Sequence, residues 1–200
     1  HCGGVDNIFP HHVNEIAQSE CCTGKTFAKY WLHSEHLIVD NKKMSKSLGN
    51  FFTLRDLLEK GYSGRQVRYL LLQTHYKTQL NFTLEGLDAA ESSLKRMDDF
   101  IFRLSKLTEG DGSKAIEKSI KKQKESFKKA LADDLNISVA LSCVFDLIKE
   151  ANQLIDEDKL SYENGQAIIQ FLKDLNPVLG IFEFNQASEI PQELQEALKK

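Results

Sequence analysis

Apolar residues in the second half of the chain recur at helical spacing. From Thr83 onward they return every three or four residues, at Leu87, Ala90, Leu94, Met97, Ile101 and Leu104. This spacing puts them on one helix face, so the segment predicts a long amphipathic helix, broken at Gly110-Asp111-Gly112-Ser113. Similar segments lie near residues 114–132, 137–157 and 163–176, the last before Pro177. The second half therefore predicts an all-helical region.

The first half has a mixed pattern. Residues 1–10 predict a strand end and a Gly-rich loop, residues 11–22 a helix just after Pro10, and residues 27–40 a strand-like apolar stretch. The predicted fold class is therefore α/β followed by all-α, with the change between about residues 50 and 85.

Two short helices are predicted by their first residues. Thr53 stands three residues before Asp56, the spacing of a capping box, and predicts a helix that runs to about Lys60 and stops at Gly61. Ser63 is expected to start the next helix.

Composition places the chain among soluble globular proteins. Of its 200 residues, 41% are hydrophobic and 28% are charged, and the net charge is −3. Nucleic-acid binding would therefore need a local basic patch. No apolar run reaches membrane-spanning length, no signal peptide is visible, and the cysteines form no CxxC pair, so a reduced cytoplasmic setting is expected. We expect Cys21, Cys22 and Cys143 to be small buried apolar residues.

The stretch Lys43-Met44-Ser45-Lys46-Ser47 follows the apolar run Leu37-Ile38-Val39 and precedes Leu48-Gly49-Asn50. Lysine is a point charge on a flexible stem and serine donates hydrogen bonds, so such a loop can hold phosphate whose charge moves during a reaction. On composition alone a solvated lysine turn is the better explanation, because short Lys/Ser runs are common on surfaces.

A candidate metal site lies at the start of the first predicted helix. His11 and Glu15 are four residues apart and share one helix face, so both can reach one ion, and imidazole and carboxylate are normal zinc ligands. An ordinary polar helix start is the alternative. The pattern is not HExxH, which disfavours a zinc protease.

The segment Gly3-Gly4-Val5-Asp6 is a weaker signal. Glycines allow a backbone to approach a ligand closely, and an aspartate can accept hydrogen bonds from ribose hydroxyls. A turn with a capping aspartate is the simpler explanation.

The pentapeptide KMSKS is the signature loop of class I aminoacyl-tRNA synthetases, which the chain resembles here. The resemblance narrows to the cysteinyl-tRNA synthetases through His1-Cys2-Gly3-Gly4-Val5-Asp6, residues 9–20 (FPHHVNEIAQSE), Tyr30-Trp31-Leu32-His33, Val39-Asp40, Phe51-Phe52-Thr53 and Asp133-Asp134-Leu135-Asn136. The first half matches most specifically, and the second half mainly in its helical pattern.

The resemblance implies the C-terminal half of a Rossmann-like catalytic domain, then a stem region and an antiparallel helical bundle. Residues 1–50 would carry the signature loop, 51–84 the stem contact, 85–190 the bundle on the anticodon side, and 191–200 a truncated C-terminal segment. The family's other nucleotide signature, HIGH, does not occur in the chain. We therefore expect a fragment that is inactive alone.

The resemblance also implies a reaction, in which ATP activates L-cysteine to cysteinyl-adenylate and the cysteine passes to the 3′ end of tRNA(Cys). Lys46 matches the lysine that contacts ATP, and Lys43, Ser45 and Ser47 complete the catalytic loop. Mg²⁺ would accompany ATP, and the enzyme would be a cytoplasmic monomer.

The resemblance implies binding roles for four further residues. Gly4 and Asp6 match the segment that contacts the ribose of ATP. His11 and Glu15 match two zinc ligands, the other two being cysteines upstream of this chain, and the single zinc would recognise the substrate thiolate. Val13 replaces a glutamate common in this segment, at a position that is not a ligand.

Two other functions remain open from the residues themselves. One is a zinc hydrolase that uses His11, His12 and Glu15, which leaves the signature loop unexplained. The other is a non-catalytic tRNA-binding or scaffold module made of the helical half. A solvated face is the simpler reading of the lysines on the predicted helix near 114–132, and contact with tRNA phosphates is the alternative; these are Lys114, Lys118, Lys121, Lys122, Lys124, Lys128 and Lys129.

Overall fold

The computed structural model describes residues 1–108 and 112–184. These residues form two compact units. The first unit contains His1–Ala90 together with Asp133–Ser138, and the second contains Glu91–Ala132 and the described residues from Val139 onward. The domain boundaries expected at residues 50 and 84 stay a prediction, and the expected segment 191–200 lies outside the described residues.

The first unit is mixed α/β. In chain order it contains β1 (Cys2–Gly4), a 3-10 turn (Val5–Asn7), a wide helical turn (Ile8–His12), α1 (Val13–Thr23), β2 (Leu32–Ser34), β3 (Ile38–Val39), β4 (Lys42–Lys43), a second 3-10 turn (Lys46–Leu48), α2 (Leu54–Glu59), α3 (Gly64–Leu72), β5 (Asn81–Phe82) and the start of α4 (Leu84–Ser105). Regular α-helix begins at Val13, after the wide turn, in which Phe9 has extended backbone angles.

Two small sheets organise the first unit. β1 and β2 pair in parallel, with Cys2 opposite Leu32 and Gly4 opposite Ser34. The second sheet has the order β4-β3-β5, in which β3 is antiparallel to β4 and parallel to β5. The predicted strand region 27–40 therefore contains two short strands that belong to different sheets.

A two-residue turn joins β3 to β4. Its residues, Asp40 and Asn41, have φ angles of 50° and 60°. Such angles suit a tight hairpin, and Asp and Asn tolerate them better than most residues do. The backbone N–H of Asn41 also donates to Asn81 Oδ1 at 2.8 Å, which fastens the turn to β5.

Both predicted helix starts are confirmed, and the structure has a capping box at each, of which only the one at Thr53 was predicted. Asp56 N donates to Thr53 Oγ1 at 3.2 Å, and Thr53 N donates to Asp56 Oδ2 at 2.7 Å. Ser63 and Gln66 form the same reciprocal pair at the start of α3. Each pair satisfies two backbone donors that a helix N-terminus would otherwise leave without partners.

The second unit is helical throughout its described residues. It contains the rest of α4, then α5 (Lys114–Ala132), α6 (Ile137–Asp156), which starts in the first unit, and α7 (Tyr162–Leu179). The six apolar positions predicted for α4 are all buried, between 0% and 7% exposed. The predicted order of an α/β part followed by an all-α part is confirmed.

Pro177 does not end the last helix, contrary to the sequence-based expectation. α7 continues to Leu179 and ends at Gly180, which has a φ of 63° and donates to Asn176 O at 2.7 Å. Proline removes its own N–H and its ring crowds the carbonyl four residues earlier, but here only Val178 and Leu179 follow it in the helix. Burial of Leu179, which is 0% exposed, favours the continued helix.

The expected burial of the cysteines is wrong at two of three positions. Cys143 is buried on α6, but Cys21 and Cys22 are exposed near the C-terminal end of α1. α1 has no buried residue, so this helix offers no interior for them.

Within the described part of the chain, no helix is both long and apolar enough to cross a membrane.

Candidate functional site

The lysine–serine loop, residues 43–47, starts at the end of the β3–β4 hairpin. Lys43 is the last residue of β4, and the 3-10 turn that begins at Lys46 is closed by Gly49, whose φ is 67°. Ser45 Oγ and Ser47 Oγ lie 2.8 Å apart and share a hydrogen bond. The structure therefore brings the four predicted catalytic residues together on one short, hairpin-mounted loop.

The loop lysines are exposed and carry uncompensated charge. Lys46 Nζ lies 5.4 Å from the centre of the Phe51 ring, within the range of a cation–π contact. Neither Lys43 nor Lys46 forms an ion pair with a carboxylate among the residues that the structure describes. Both positive charges thus remain available to an anionic ligand.

Glu15 lies at the centre of a histidine cluster at the start of α1. Its Oε1 is 3.4 Å from His11 Nε2, so the pair predicted from spacing is in contact. Its Oε2 is 2.8 Å from His1 Nε2 and 4.0 Å from His12 Nε2. Oε1 of Glu15 therefore faces the exposed His11, and Oε2 faces the rings of His1 and His12.

His1 is the member of this cluster that sequence reasoning did not assign to a metal site, and His12 was assigned to one only in the alternative zinc hydrolase. Among the described residues, one ligand atom each from His1, His12 and Glu15 lie within 4.8 Å of one another. His1 reaches the cluster because β1 pairs with β2, and its backbone O accepts from Leu32 N at 2.9 Å. No local pattern in the sequence signals this contact, since His1 and Glu15 are 14 positions apart.

His12 is the buried member of the cluster, with 4% of its surface exposed. Its Nδ1 lies 2.8 Å from His33 Nε2, so one of these ring nitrogens donates a hydrogen bond and the other accepts it. Trp31 stacks on the His33 ring at an interplanar angle of 8°. Trp31 and His33 form a wall beside His12.

A side chain on either of the two glycines before Asp6 would displace a neighbouring side chain. A Cβ on Gly3 would lie 2.6 Å from His12 Cε1 on the buried ring, and a Cβ on Gly4 would meet Oδ1 at the end of the exposed Asp6 side chain. Asp6 is exposed, and its Oδ1 lies 3.7 Å from His36 Nε2. The glycines therefore keep the Asp6 carboxylate and the His12 ring close to the backbone of β1.

A second charged cluster in the first unit surrounds Asp134. Its carboxylate accepts from Tyr76 OH at 2.6 Å and pairs with Lys77, and its backbone O contacts His75 Nε2 at 2.9 Å. Hydrogen bonds from Lys77 and Tyr76 lower the pKa of Asp134, and the hydrogen bond to Asp134 raises the pKa of Tyr76. The cluster connects the segment after α3 with the segment before α6.

The lysines of α5 are mostly solvated. Six of the seven are exposed, and two have carboxylate partners: Lys124 Nζ lies 2.6 Å from Asp174, and Lys128 Nζ lies 3.0 Å from Glu125. The hydrogen bond from Lys128 lowers the pKa of Glu125. The remaining lysines present a basic face on this helix.

Two protein families match the sequence. Residues 1–92 match the family described as tRNA synthetases class I (C) catalytic domain. Residues 126–183 match the DALR domain. The first match includes the histidine cluster and the lysine–serine loop.

Relatives named cysteine–tRNA ligase match nearly the whole chain. The protein of Protochlamydia amoebophila is 52% identical over 201 residues, covering 100% of this chain and 42% of that protein. The protein of Chlamydia felis is 53% identical over 204 residues, with the same two coverages. The chain thus spans about two fifths of the length of these relatives.

Solved structures share the fold at low sequence identity. A methionyl-tRNA synthetase of Mycobacterium tuberculosis bound by methionyl-adenylate matches 90% of this chain and 41% of its own, at 16% identity and a TM-score of 0.71. A LeuRS of Agrobacterium radiobacter K84, in a ternary complex with tRNA and LeuAMS, matches 90% of this chain and 25% of its own, at 18% identity and a TM-score of 0.69. From the two family matches and the similarity to these relatives over the whole chain, the chain belongs to the cysteine–tRNA ligase family of class I tRNA synthetases.

Proposed function

We propose that this chain is the part of a cysteine–tRNA ligase that carries the signature loop, half of a zinc site and a tRNA-side helical region. The whole enzyme would join L-cysteine to ATP as cysteinyl-adenylate and pass the cysteine to the 3′-terminal ribose of tRNA(Cys). The observation that carries this proposal is Lys46, an exposed and uncompensated charge on a loop fastened to the β3–β4 hairpin. Whole-chain similarity to relatives of that name supports the choice of amino acid.

The loop residues suit displacement at a phosphate. Attack of the cysteine carboxylate on the α-phosphate expels pyrophosphate, and such a step depends on positioning and on neutralisation of charge. Lys46 would hold the triphosphate as charge builds on the leaving group, with Lys43 adding a second positive charge. Ser45 and Ser47 would turn their hydroxyls from one another to phosphate oxygens, and Mg²⁺ would enter with ATP.

The glycine segment suits the nucleoside part of ATP. Asp6 is exposed, and its carboxylate can accept two hydrogen bonds from the hydroxyls of a ribose. Gly4 leaves the backbone open beside that carboxylate, because a Cβ there would meet Asp6 Oδ1. We assign Gly4 and Asp6 to ribose binding on this basis.

The donors at the start of α1 fit a zinc ion. His11 Nε2 and Glu15 Oε1 are 3.4 Å apart and both are normal zinc ligands, while His1 holds the other oxygen of Glu15 and so orients the carboxylate. When bound, zinc would take the thiolate of cysteine as a ligand, which distinguishes cysteine from serine by chemistry rather than by size. Two cysteines upstream of this chain would supply the remaining ligands.

The helical second unit would lie on the tRNA side of the enzyme. The exposed lysines of α5 would contribute contacts to phosphates that weaken with salt and do not depend on sequence. The enzyme would act in the cytoplasm as a monomer.

The experiment that tests the proposal is cysteine-dependent ATP–pyrophosphate exchange by the full-length protein and its Lys46→Ala variant. Loss of a well-placed charged donor costs about 3 kcal/mol in the transition state, so the exchange rate should fall more than about 100-fold while cysteine binding changes little. Lys42→Ala is the matched control, because Lys42 is an exposed lysine of the same hairpin outside the pentapeptide. Exchange that survives in Lys46→Ala, or that requires no cysteine, would refute the proposal.

A further inference from the structure

Asn50 follows the signature loop and bonds back to its beginning. Its Oδ1 accepts from Ser45 N at 2.8 Å, and its Nδ2 donates to Lys43 O at 3.1 Å. Nδ2 also lies 3.5 Å from Val39 O, at the edge of hydrogen-bonding distance. One half-buried carboxamide at the end of the loop therefore contacts two residues at its beginning and lies at the edge of hydrogen-bonding distance from β3.

The backbone explains how Asn50 reaches this place. The 3-10 turn over Lys46–Leu48 reverses the chain, and Gly49 completes the reversal with a φ of 67°, an angle that glycine adopts without strain. Nothing lies within 4 Å of the Cβ position of Gly49, so its role there is conformational. The chain from Lys43 to Asn50 thus forms a ring whose neck is closed by the Asn50 side chain.

We propose that Asn50 is a positioning residue for Lys46: it holds the signature loop in the conformation that presents this lysine to the triphosphate. The proposal rests on the proposed function of the loop. A carboxamide is required because the neck offers one N–H and one or two carbonyl oxygens, and only a side chain that accepts and donates at once pairs with both. Aspartate would keep the bond to Ser45 N but direct an anionic oxygen at Lys43 O.

The test compares variants of the full-length enzyme in two assays. The first is cysteine-dependent ATP–pyrophosphate exchange, in which Asn50→Ala and Asn50→Asp should both lower kcat by about 100-fold, the effect of moving a reacting group by about 1 Å, with little change in KM for cysteine. The second is limited trypsin digestion after Lys43 and Lys46. Release of the neck should speed cleavage there by about tenfold or more, because local opening becomes easier.

Asn176→Ala is the matched control. Asn176 closes a different turn with the same kind of clamp, accepting from Ile181 N and Phe182 N at 3.0 Å and donating to Phe182 O at 3.0 Å. It should lower stability without changing kcat or the cleavage rate at Lys43 and Lys46.

The outcomes separate this proposal from the function on which it rests. If the wild-type enzyme lacks cysteine-dependent exchange, the proposed function fails, and the trypsin assay still decides whether Asn50 holds the loop. If Asn50→Ala is cleaved after Lys43 and Lys46 at the wild-type rate, or is cleaved faster but keeps its kcat, the positioning role is overturned.

Discussion

Replacing Gly3 by alanine should displace His12 and destabilise the first unit. The new Cβ would lie 2.6 Å from His12 Cε1 and 2.9 Å from His12 Nε2. Carbon atoms in favourable contact are about 3.5 to 4.0 Å apart, so the ring would have to move by about 1 Å. His12 is 4% exposed, its ring centre lies 5.1 Å from that of Trp31 and it is hydrogen-bonded to His33, so moving the ring would disturb these contacts.

The magnitude follows from this lack of space. Overpacking of a filled interior costs about 1–3 kcal/mol, and loss of the His12–His33 hydrogen bond adds about 1 kcal/mol. We therefore expect Gly3→Ala to lower the free energy of unfolding of the full-length protein, measured by urea denaturation, by about 2–4 kcal/mol.

Gly64→Ala is the control for Gly3→Ala. Gly64 is the first residue of α3 and nothing lies within 4 Å of its Cβ position, so the same substitution should be neutral or stabilise by about 0.4–1 kcal/mol. A Gly3→Ala variant whose unfolding free energy stays within about 0.5 kcal/mol of the wild type would refute the close packing of His12 against β1.

Two further predictions concern the proposed zinc site and the Asp134 cluster. In the full-length enzyme, His11→Ala should reduce zinc retained after chelator dialysis below one per chain and weaken discrimination of cysteine from serine, because zinc affinity requires all ligands; full retention of zinc would exclude His11 as a ligand. The pKa of Asp134 is lowered from its ordinary value of 3.8 by Lys77 and Tyr76, so its contribution to stability is present above about pH 4 and is lost as the pH falls through the lowered pKa. Asp134→Asn should therefore lower the thermal midpoint at pH 7, and its difference from the wild type should shrink below pH 4; a constant difference would contradict the ion pair.

The sequence predicted the helices well because their signals are local. The apolar positions of α4 describe one face without reference to any other segment, and all six are buried. α5 has the predicted bounds, and the Thr53 and Ser63 caps need only residues three positions away. Pro177 was misjudged because burial of Leu179, a tertiary effect, outweighs the local cost of a proline in the last turn of the helix.

The sheets and the histidine cluster were not predictable in the same way. β3 pairs with β5 across more than 40 residues, and strands of two or three residues carry little periodicity. His1 reaches Glu15 only because β1 pairs with β2 and α1 follows β1. His11 and Glu15, by contrast, are one helical turn apart, so their contact was visible in the spacing.

The lysines of this chain differ in whether a carboxylate neutralises their charge. Lys77 forms an ion pair with Asp134, and Lys124 forms one with Asp174, each within its own unit. Lys43 and Lys46 have no such partner in the described chain, although the loop that carries them is held by a turn, a glycine and the Asn50 carboxamide. A fastened backbone that carries two unpaired cations fits the proposed role of the loop, in which the triphosphate of ATP would be the anion that pairs with them.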